Sequence, residues 1–349
     1  MIILADLHLK ESTEDQVWAV LAEVRRLALE DPDHHVVFCG DWWQLRYQVN
    51  VRLLNKCKAI LLEWVEAGLQ VDLVPGNHDQ VTIDGVNALE VLEDGGPRGG
   101  VRVWTGPGVA GDDYRKVGFC PYRKDPQEQL RALELASKGA CVVFGHFGVK
   151  GSQMDNTRQD QDGLVVVPGG PLLILGHYHR HQQGMGYVYV GSPYQQSFGE
   201  VGNAPGVLQL HVDPGAGPRS RRTMPWKHVP LDIGPRYWIL PWDLDASANP
   251  PARPSTWRLG DQVRIDVKAA YSQLANPKLL TGLADVGLGE AVVNILPRED
   301  KREGRLPMVA GESLGQSAER FARERVADPQ DLEARLTYLR RWAGEEVGS

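Results

Sequence analysis

No run of apolar residues in this chain exceeds a handful, whereas a membrane-spanning helix needs about 20. That scarcity argues against a helical membrane anchor. Cysteine is scarce too: Cys39, Cys57, Cys120 and Cys141 are scattered, with no CxxC pair, which argues against a paired-cysteine framework. Most sit in apolar runs and read as buried free thiols, so the expected compartment is cytoplasmic. There is no excess of positive charge. With 38 basic against 45 acidic residues and a net charge of -7, this is no generally basic nucleic-acid binder. A phosphate substrate stays open, because bound divalent cations would reverse the local field. No charged segment precedes the opening "MIIL", so no secretory signal is expected. Internal repeats and low-complexity segments are lacking as well. What remains is 349 residues of ordinary composition, 42% hydrophobic and 24% charged, enough for two domains.

From Met1 to about residue 213, short apolar runs alternate with helical patterns. "MIILADLHL", "HVVFCGD" and "LQVDLVPGNHD" read as strands. Between them lie an amphipathic helix in "TEDQVWAVLAEVRRLALE", with Ser12 or Thr13 as its cap, and a helical stretch from Val51 to Ala67. Further β-type runs are "VRVWTG", "RKVGFCPY", "ACVVFGHF", "GLVVVPG", "PLLILGHYH", "GYVYVGS" and "GVLQLHV". Several are too close together for crossover helices, which predicts an α/β fold of two packed sheets with helices outside. "DPGAGPRSRRTMPWKH" (213–228) reads as a connector, followed by a small α+β unit with strands in "PLDIGPRYWILPW", "DQVRIDVKA" and "EAVVNILP". The charged tail places Leu332, Leu336, Leu339 and Ala343 on one helical face.

Five of the early strands share a peculiarity: each ends in residues of metal-ligand type, usually beside glycine. They contribute Asp6 and His8, Asp41, Asn77 and His78, His146, and His177 with His179. Singly each has a bland reading, as a turn residue or a hydrogen-bonded histidine. Jointly, five such strand ends point to one crevice at the carboxyl edge of the sheets. Alternation in an extended chain lets both members of Asp6/His8 and of His177/His179 reach that crevice, and the neighbouring glycines permit close backbone approach. Mixed carboxylate, imidazole and amide ligands suit two-metal hydrolysis with manganese, iron or zinc better than magnesium or calcium alone. His78 is then the donor to a leaving oxygen, with Asp79 placed to orient it. His34, His35 and His181 fall outside the ligand set.

The series Asp6-x-His8, Gly40-Asp41, Gly76-Asn77-His78-Asp79, Gly145-His146 and Gly176-His177-x-His179 resembles the calcineurin-like metallophosphoesterase superfamily. The resemblance implies a four-layered α/β/β/α sandwich over 1–228, a capping module over 229–297 and a helical tail over 298–349. It assigns Asp6, His8, Asp41 and His179 to one divalent metal and Asp41, Asn77, His146 and His177 to a second. Asp41 would bridge the two, and His78 would serve as proton donor. Manganese is the expected ion, with magnesium, iron and zinc as alternatives. "YVGSPYQQSFGE" (189–200) is similar to SbcD-type nucleases of DNA repair and recombination. This implies a DNA exonuclease with single-strand endonuclease action, whose cap places DNA and whose tail binds an SbcC-type coiled-coil ATPase. The chain departs from cellular members in Trp42-Trp43-Gln44 and in its short cap. Expected partners are DNA, that ATPase and a second copy in a homodimer, with no membrane. A phosphoesterase for small molecules or phosphoproteins would use the same ligands, whereas a non-catalytic scaffold would tend to lose some of them. Trp42 is a candidate base-stacking wall, Arg219, Arg221 and Arg222 are candidate phosphate contacts, and the polar loop 148–163 is placed to touch a substrate.

Overall fold

The computed structural model describes residues 1–44, 48–81, 87–94, 100–111, 116–154, 158–167, 169–211, 225–244, 246–247, 249–269 and 278–297, with isolated helical positions between 319 and 336. The first sheet runs β12-β11-β1-β2-β3-β4, built from β1 (Ile2–Leu4), β2 (His35–Cys39), β3 (Gln70–Val74), β4 (Val101–Val103), β11 (Gly206–Leu210) and β12 (Trp226–Pro230). The second runs β5-β6-β7-β8-β10-β9, from β5 (Gly108–Ala110), β6 (Val117–Cys120), β7 (Val142–His146), β8 (Leu172–Gly176), β9 (Gln182–Gly184) and β10 (Tyr187–Tyr189). Strands β1 to β4 are mutually parallel, as are β6, β7, β8 and β10. This is a mixed α/β fold.

Alternation along the strands divides the core. Ile3, Val37, Cys39 and Val74 of the first sheet pack with Phe119, Val142, Phe144 and Ile174 of the second, so the sheets bury one face against each other. The opposite face of the first sheet is covered by α1 (Glu14–Glu30) and α2 (Val51–Glu66). Val17, Val20, Leu21, Val24 and Ala28 of α1 are buried at helical spacing. The second sheet carries α3 (Pro126–Ala136), whose Ala132 and Ala136 meet Val143 and Leu173. This helix starts cleanly: Pro126 occupies its first turn and the Asp125 carboxylate accepts from Gln127 N and Glu128 N at 2.8 and 3.0 Å.

Thr13 holds the cap position of α1 but makes no capping bond. Its hydroxyl instead accepts from Lys10 N at 3.2 Å and donates to the His8 carbonyl at 3.3 Å, fastening the helix start to the loop after β1. Two expectations are corrected. The run "GLVVVPG" forms no strand, and Val165 and Val167 are 71% and 74% exposed. Both edges of β8 are already taken by β7 and β10, and the run keeps only an isolated bridge from Leu164 to Val149. The connector 213–228 ends in strand β12, which pairs with β11 and so crosses the expected boundary at 228. Its brevity and flanking prolines conceal it in the sequence. All four cysteines are free and buried.

The smaller unit is a parallel sheet of β13 (Tyr237–Asp243), β14 (Gln262–Ala269) and β15 (Val292–Pro297), with α4 (Lys278–Asp285) between the last two strands. Its own core contains Trp242, Ile265, Val267, Leu283 and Leu288. In the tail, Leu336 is buried within this chain, while Leu332, Leu339 and Ala343 lie outside the described residues. Among the described residues no helix is long and apolar enough to cross a membrane.

On β12, His228 stacks on His181 with ring centroids 4.1 Å apart. Burial, then the neighbouring His181, lowers its pKa to about 4. The folded state therefore prefers neutral His228, and its contribution is complete above the ordinary value near 6.5 and fades as pH falls toward 4. Thermal melts should show His228→Phe losing less stability than the wild type between pH 6.5 and 4. Parallel curves would contradict that role.

Candidate metal centre

The parallel strands end at a common edge, and there the chain bends sharply. Among the described residues, five other than glycine have positive φ: Asp6 (56°), His8 (48°), His34 (48°), Asp41 (60°) and His177 (108°). All but His34 are candidate ligands from the sequence. Such conformations cost about 1–3 kcal/mol each and persist where surrounding contacts enforce them. Here the enforcement is visible: Asp6 N bonds Gly40 O and His8 N bonds Asp41 O, both at 2.9 Å, stitching the two strand ends together. Space is equally tight. A Cβ on Gly40 would overlap the His146 ring, and one on Gly76 would overlap the Asp41 carboxylate. Those two positions need glycine.

The side chains converge. His8 Nε2 faces His179 Nε2 at 3.0 Å. Asp41 Oδ2 lies 3.6 Å from His8 Nε2 and 3.4 Å from His146 Nε2. Asn77 Oδ1 lies 3.1 Å from both His146 Nε2 and His177 Nδ1. Asp6, His8 and His179, then His8, Asp41 and His78, then Asp6, Asp41 and His146, form three groups able to hold a metal ion, each with donor atoms within 4.8 Å. Asp6 and His146 are fully buried, and Asp41 and His8 nearly so. Backbone partners fix which ring nitrogen points inward: His146 Nδ1 is 2.8 Å from the Cys39 carbonyl, leaving Nε2 for the centre. His177 N also donates to both oxygens of Asp6, at 3.1 and 3.2 Å.

This donor set fits divalent cations. Ring nitrogens crowded against one another and against carboxylate oxygens in a largely buried cluster are costly unless a cation lies among them. The protonation preferences show the same conflict. Burial pushes Asp6 up to about 7 and His177 down to about 3. Burial also opposes ionisation of Asp41 and His146, but their mutual attraction wins, holding Asp41 well below the carboxylate range and raising His146 to about 9. A bound cation would favour ionised carboxylates and neutral imidazoles throughout.

No family model and no curated protein matches the chain.

All seven candidate ligands thus meet at one place. His78 is beside them: its ring is edge-on to His8 at 4.8 Å, its Nδ1 is 3.3 Å from the Gln44 carbonyl, and its backbone N–H donates to Asp41 Oδ1 at 2.7 Å. The expected role of Asp79 is corrected. Its carboxylate does not orient His78; it accepts from Gly76 N at 2.9 Å, Asp41 N at 2.8 Å and Trp43 N at 3.0 Å. It is a buried clamp on the two loops that carry Asp41 and Asn77, and Gln44 takes the place expected of it at His78. Asp79→Ala would leave three buried donors without partners, at about 1–3 kcal/mol each. Urea unfolding of the metal-free protein should show a loss of about 3 kcal/mol or more.

Trp42 is corrected too. It is 1% exposed and packs edge-on against Phe38 at 5.1 Å, because the turn at Gly40 and Asp41 drives it into the α1/α2 side of the core. It cannot stack a base. Trp43 is likewise buried. Arg219, Arg221 and Arg222 lie outside the described residues. The loop after His146 is anchored at both ends: Val149 N donates to Tyr189 Oη at 2.8 Å, and Asp160 accepts from Tyr178 Oη at 2.5 Å. Sequence reasoning gave no role to Glu200, which is buried and lies 2.9 Å from His179 Nδ1. An acidic residue closing "SFGE" so soon after a paired-histidine strand end was the available signal.

Proposed function

We propose that this chain is a dinuclear metal-dependent nuclease that hydrolyses DNA phosphodiesters, exonucleolytically and with endonuclease action on single strands, in repair or recombination. One observation carries the reading: Asp41 Oδ2 stands between His8 Nε2 and His146 Nε2, at 3.6 and 3.4 Å, so two ligand sets share one carboxylate. Asp6, His8, Asp41 and His179 would hold one ion, and Asp41, Asn77, His146 and His177 the other. Manganese is the ion proposed, its mixed nitrogen and oxygen preferences matching this donor set. When bound, the ions would polarise the phosphoryl oxygens and acidify water. The protein's own work is to hold these ligands in strained but over-determined positions and to supply a proton. Gln44 O engages His78 Nδ1, which leaves Nε2 to donate to the leaving oxygen.

The helices on the outer faces of two packed sheets support the four-layered sandwich of the calcineurin-like superfamily. The "GSPYQQSFGE" segment and the smaller unit beyond it support DNA as substrate, with an SbcC-type ATPase as partner. Labelled linear duplex, single-stranded DNA and bis(para-nitrophenyl) phosphate, each incubated with manganese, test the reading. Degradation of DNA to nucleotides is the expected result. Turnover of the small diester alone would overturn the DNA assignment and favour a small-molecule phosphoesterase.

A further inference from the structure

The segment from Tyr194 to Glu200 bonds the backbone at Asp6 and Leu7, beside His8, and the side chain of His179. Tyr194 Oη donates to the Leu7 carbonyl at 2.7 Å, between Asp6 and His8. Gln196 Nε2 donates to the Asp6 carbonyl at 2.6 Å. The Glu200 carboxylate lies 2.9 Å from His179 Nδ1 and also accepts from Gln196 N at 2.9 Å and Ser192 Oγ at 3.3 Å. Asp6, His8 and His179 are one of the groups able to hold an ion. Nothing comparable from this segment reaches Asn77 or His146 among the described residues.

The other side of the same segment carries the smaller unit. Gln195 Oε1 accepts from Tyr237 N at 2.8 Å at the start of β13, while Gln195 Nε2 donates to the Glu200 carbonyl at 3.1 Å. Phe198 packs edge-on against Tyr237 at 5.1 Å, and the Arg264 guanidinium lies 5.4 Å from the Phe198 ring centre. Arg264 is itself held by Asp266 at 2.8 and 3.1 Å, and Asp266 accepts from Asn294 of β15 at 2.9 Å. All three strands of the small sheet therefore bear, directly or through these bonds, on the segment that seats His179.

We propose that Tyr194–Glu200 is a strut through which the smaller unit sets the geometry of the Asp6/His8/His179 site, with Glu200 a positioning residue that acts through His179. The carboxylate fixes the His179 ring so that Nε2 points inward. Gln196 N and Ser192 Oγ hold that carboxylate, and the Phe198 and Gln195 contacts hold the backbone that carries it. A shift of the smaller unit, such as a long substrate or partner lying against it would impose, then changes one metal site and spares the other. This proposal rests on the two-metal reading.

Calorimetric titration of metal-free full-length protein with manganese separates the two claims. Wild type should bind in two steps. Glu200→Ala should weaken one step about 10–100-fold, the usual loss when an outer-shell partner of a ligating histidine is removed, and leave the other unchanged. Glu200→Gln, which keeps an acceptor for His179 Nδ1–H, should recover part of that loss. Phe198→Ala leaves Glu200 and His179 intact and should weaken the same step by a smaller factor, with the circular-dichroism spectrum unchanged. Two wild-type steps that Glu200→Ala leaves in place would overturn the proposal alone. A Phe198→Ala protein with wild-type manganese affinity would overturn the link to the smaller unit. A wild type that binds no manganese would overturn the two-metal reading together with the proposal.

Discussion

His78→Ala should lower kcat on DNA by about 100- to 10,000-fold, the usual contribution of a positioned proton donor, while manganese content stays at the wild-type level. The separation is expected because the contact His78 makes with Asp41 runs through its backbone N–H, at 2.7 Å, which alanine retains. Leaving-group chemistry sharpens the test. A para-nitrophenolate departs without needing a proton, so the same variant should lose much less activity on bis(para-nitrophenyl) phosphate than on DNA. Equal losses on both substrates would mean that His78 contributes something other than the proton, such as binding of the phosphate. Loss of manganese from His78→Ala would instead make it a ligand, as its grouping with His8 and Asp41 allows.

Asp41→Asn should abolish activity and remove both manganese ions, whereas His179→Ala should remove one. Among the described residues Asp41 is the carboxylate within 3.6 Å of histidine nitrogens from both ligand sets, and it is almost fully buried. An amide of the same shape keeps the acceptor for His78 N but loses the negative charge that two adjacent cations require. The affinity loss should exceed the roughly 100-fold that removing an outer-shell partner costs. Metal analysis of the dialysed variants reads this directly. An Asp41→Asn protein that still holds one tightly bound ion would show that the two sites do not share the carboxylate.

The candidate ligands were legible as a cluster because their signal is local: a metal-binding type of residue beside glycine at the end of an apolar run. Each such strand end could be read without knowing the fold, and parallel pairing then brings them to one edge. The helices were legible for the same reason, from the 3.6-residue spacing of Val17, Val20, Leu21, Val24 and Ala28. Contacts across the fold were not. Asp79 follows His78 in sequence, yet its carboxylate turns away to the backbone of Gly76, Asp41 and Trp43. Trp42 follows the candidate ligand Asp41, whose positive φ sends it inward. Strand β12 and the non-strand at Val165–Val167 depend on which sheet edges are free, a property of the assembled sheets. Glu200 acquires its place beside His179 only when the turn at Phe198 is folded.

Native mass spectrometry of the wild-type protein, stripped of metal and then titrated with manganese, tests the central claim most directly. Two ions per chain are expected, lost together in Asp41→Asn. A wild type that saturates at one ion, or takes up none, would contradict the account of a shared-carboxylate centre.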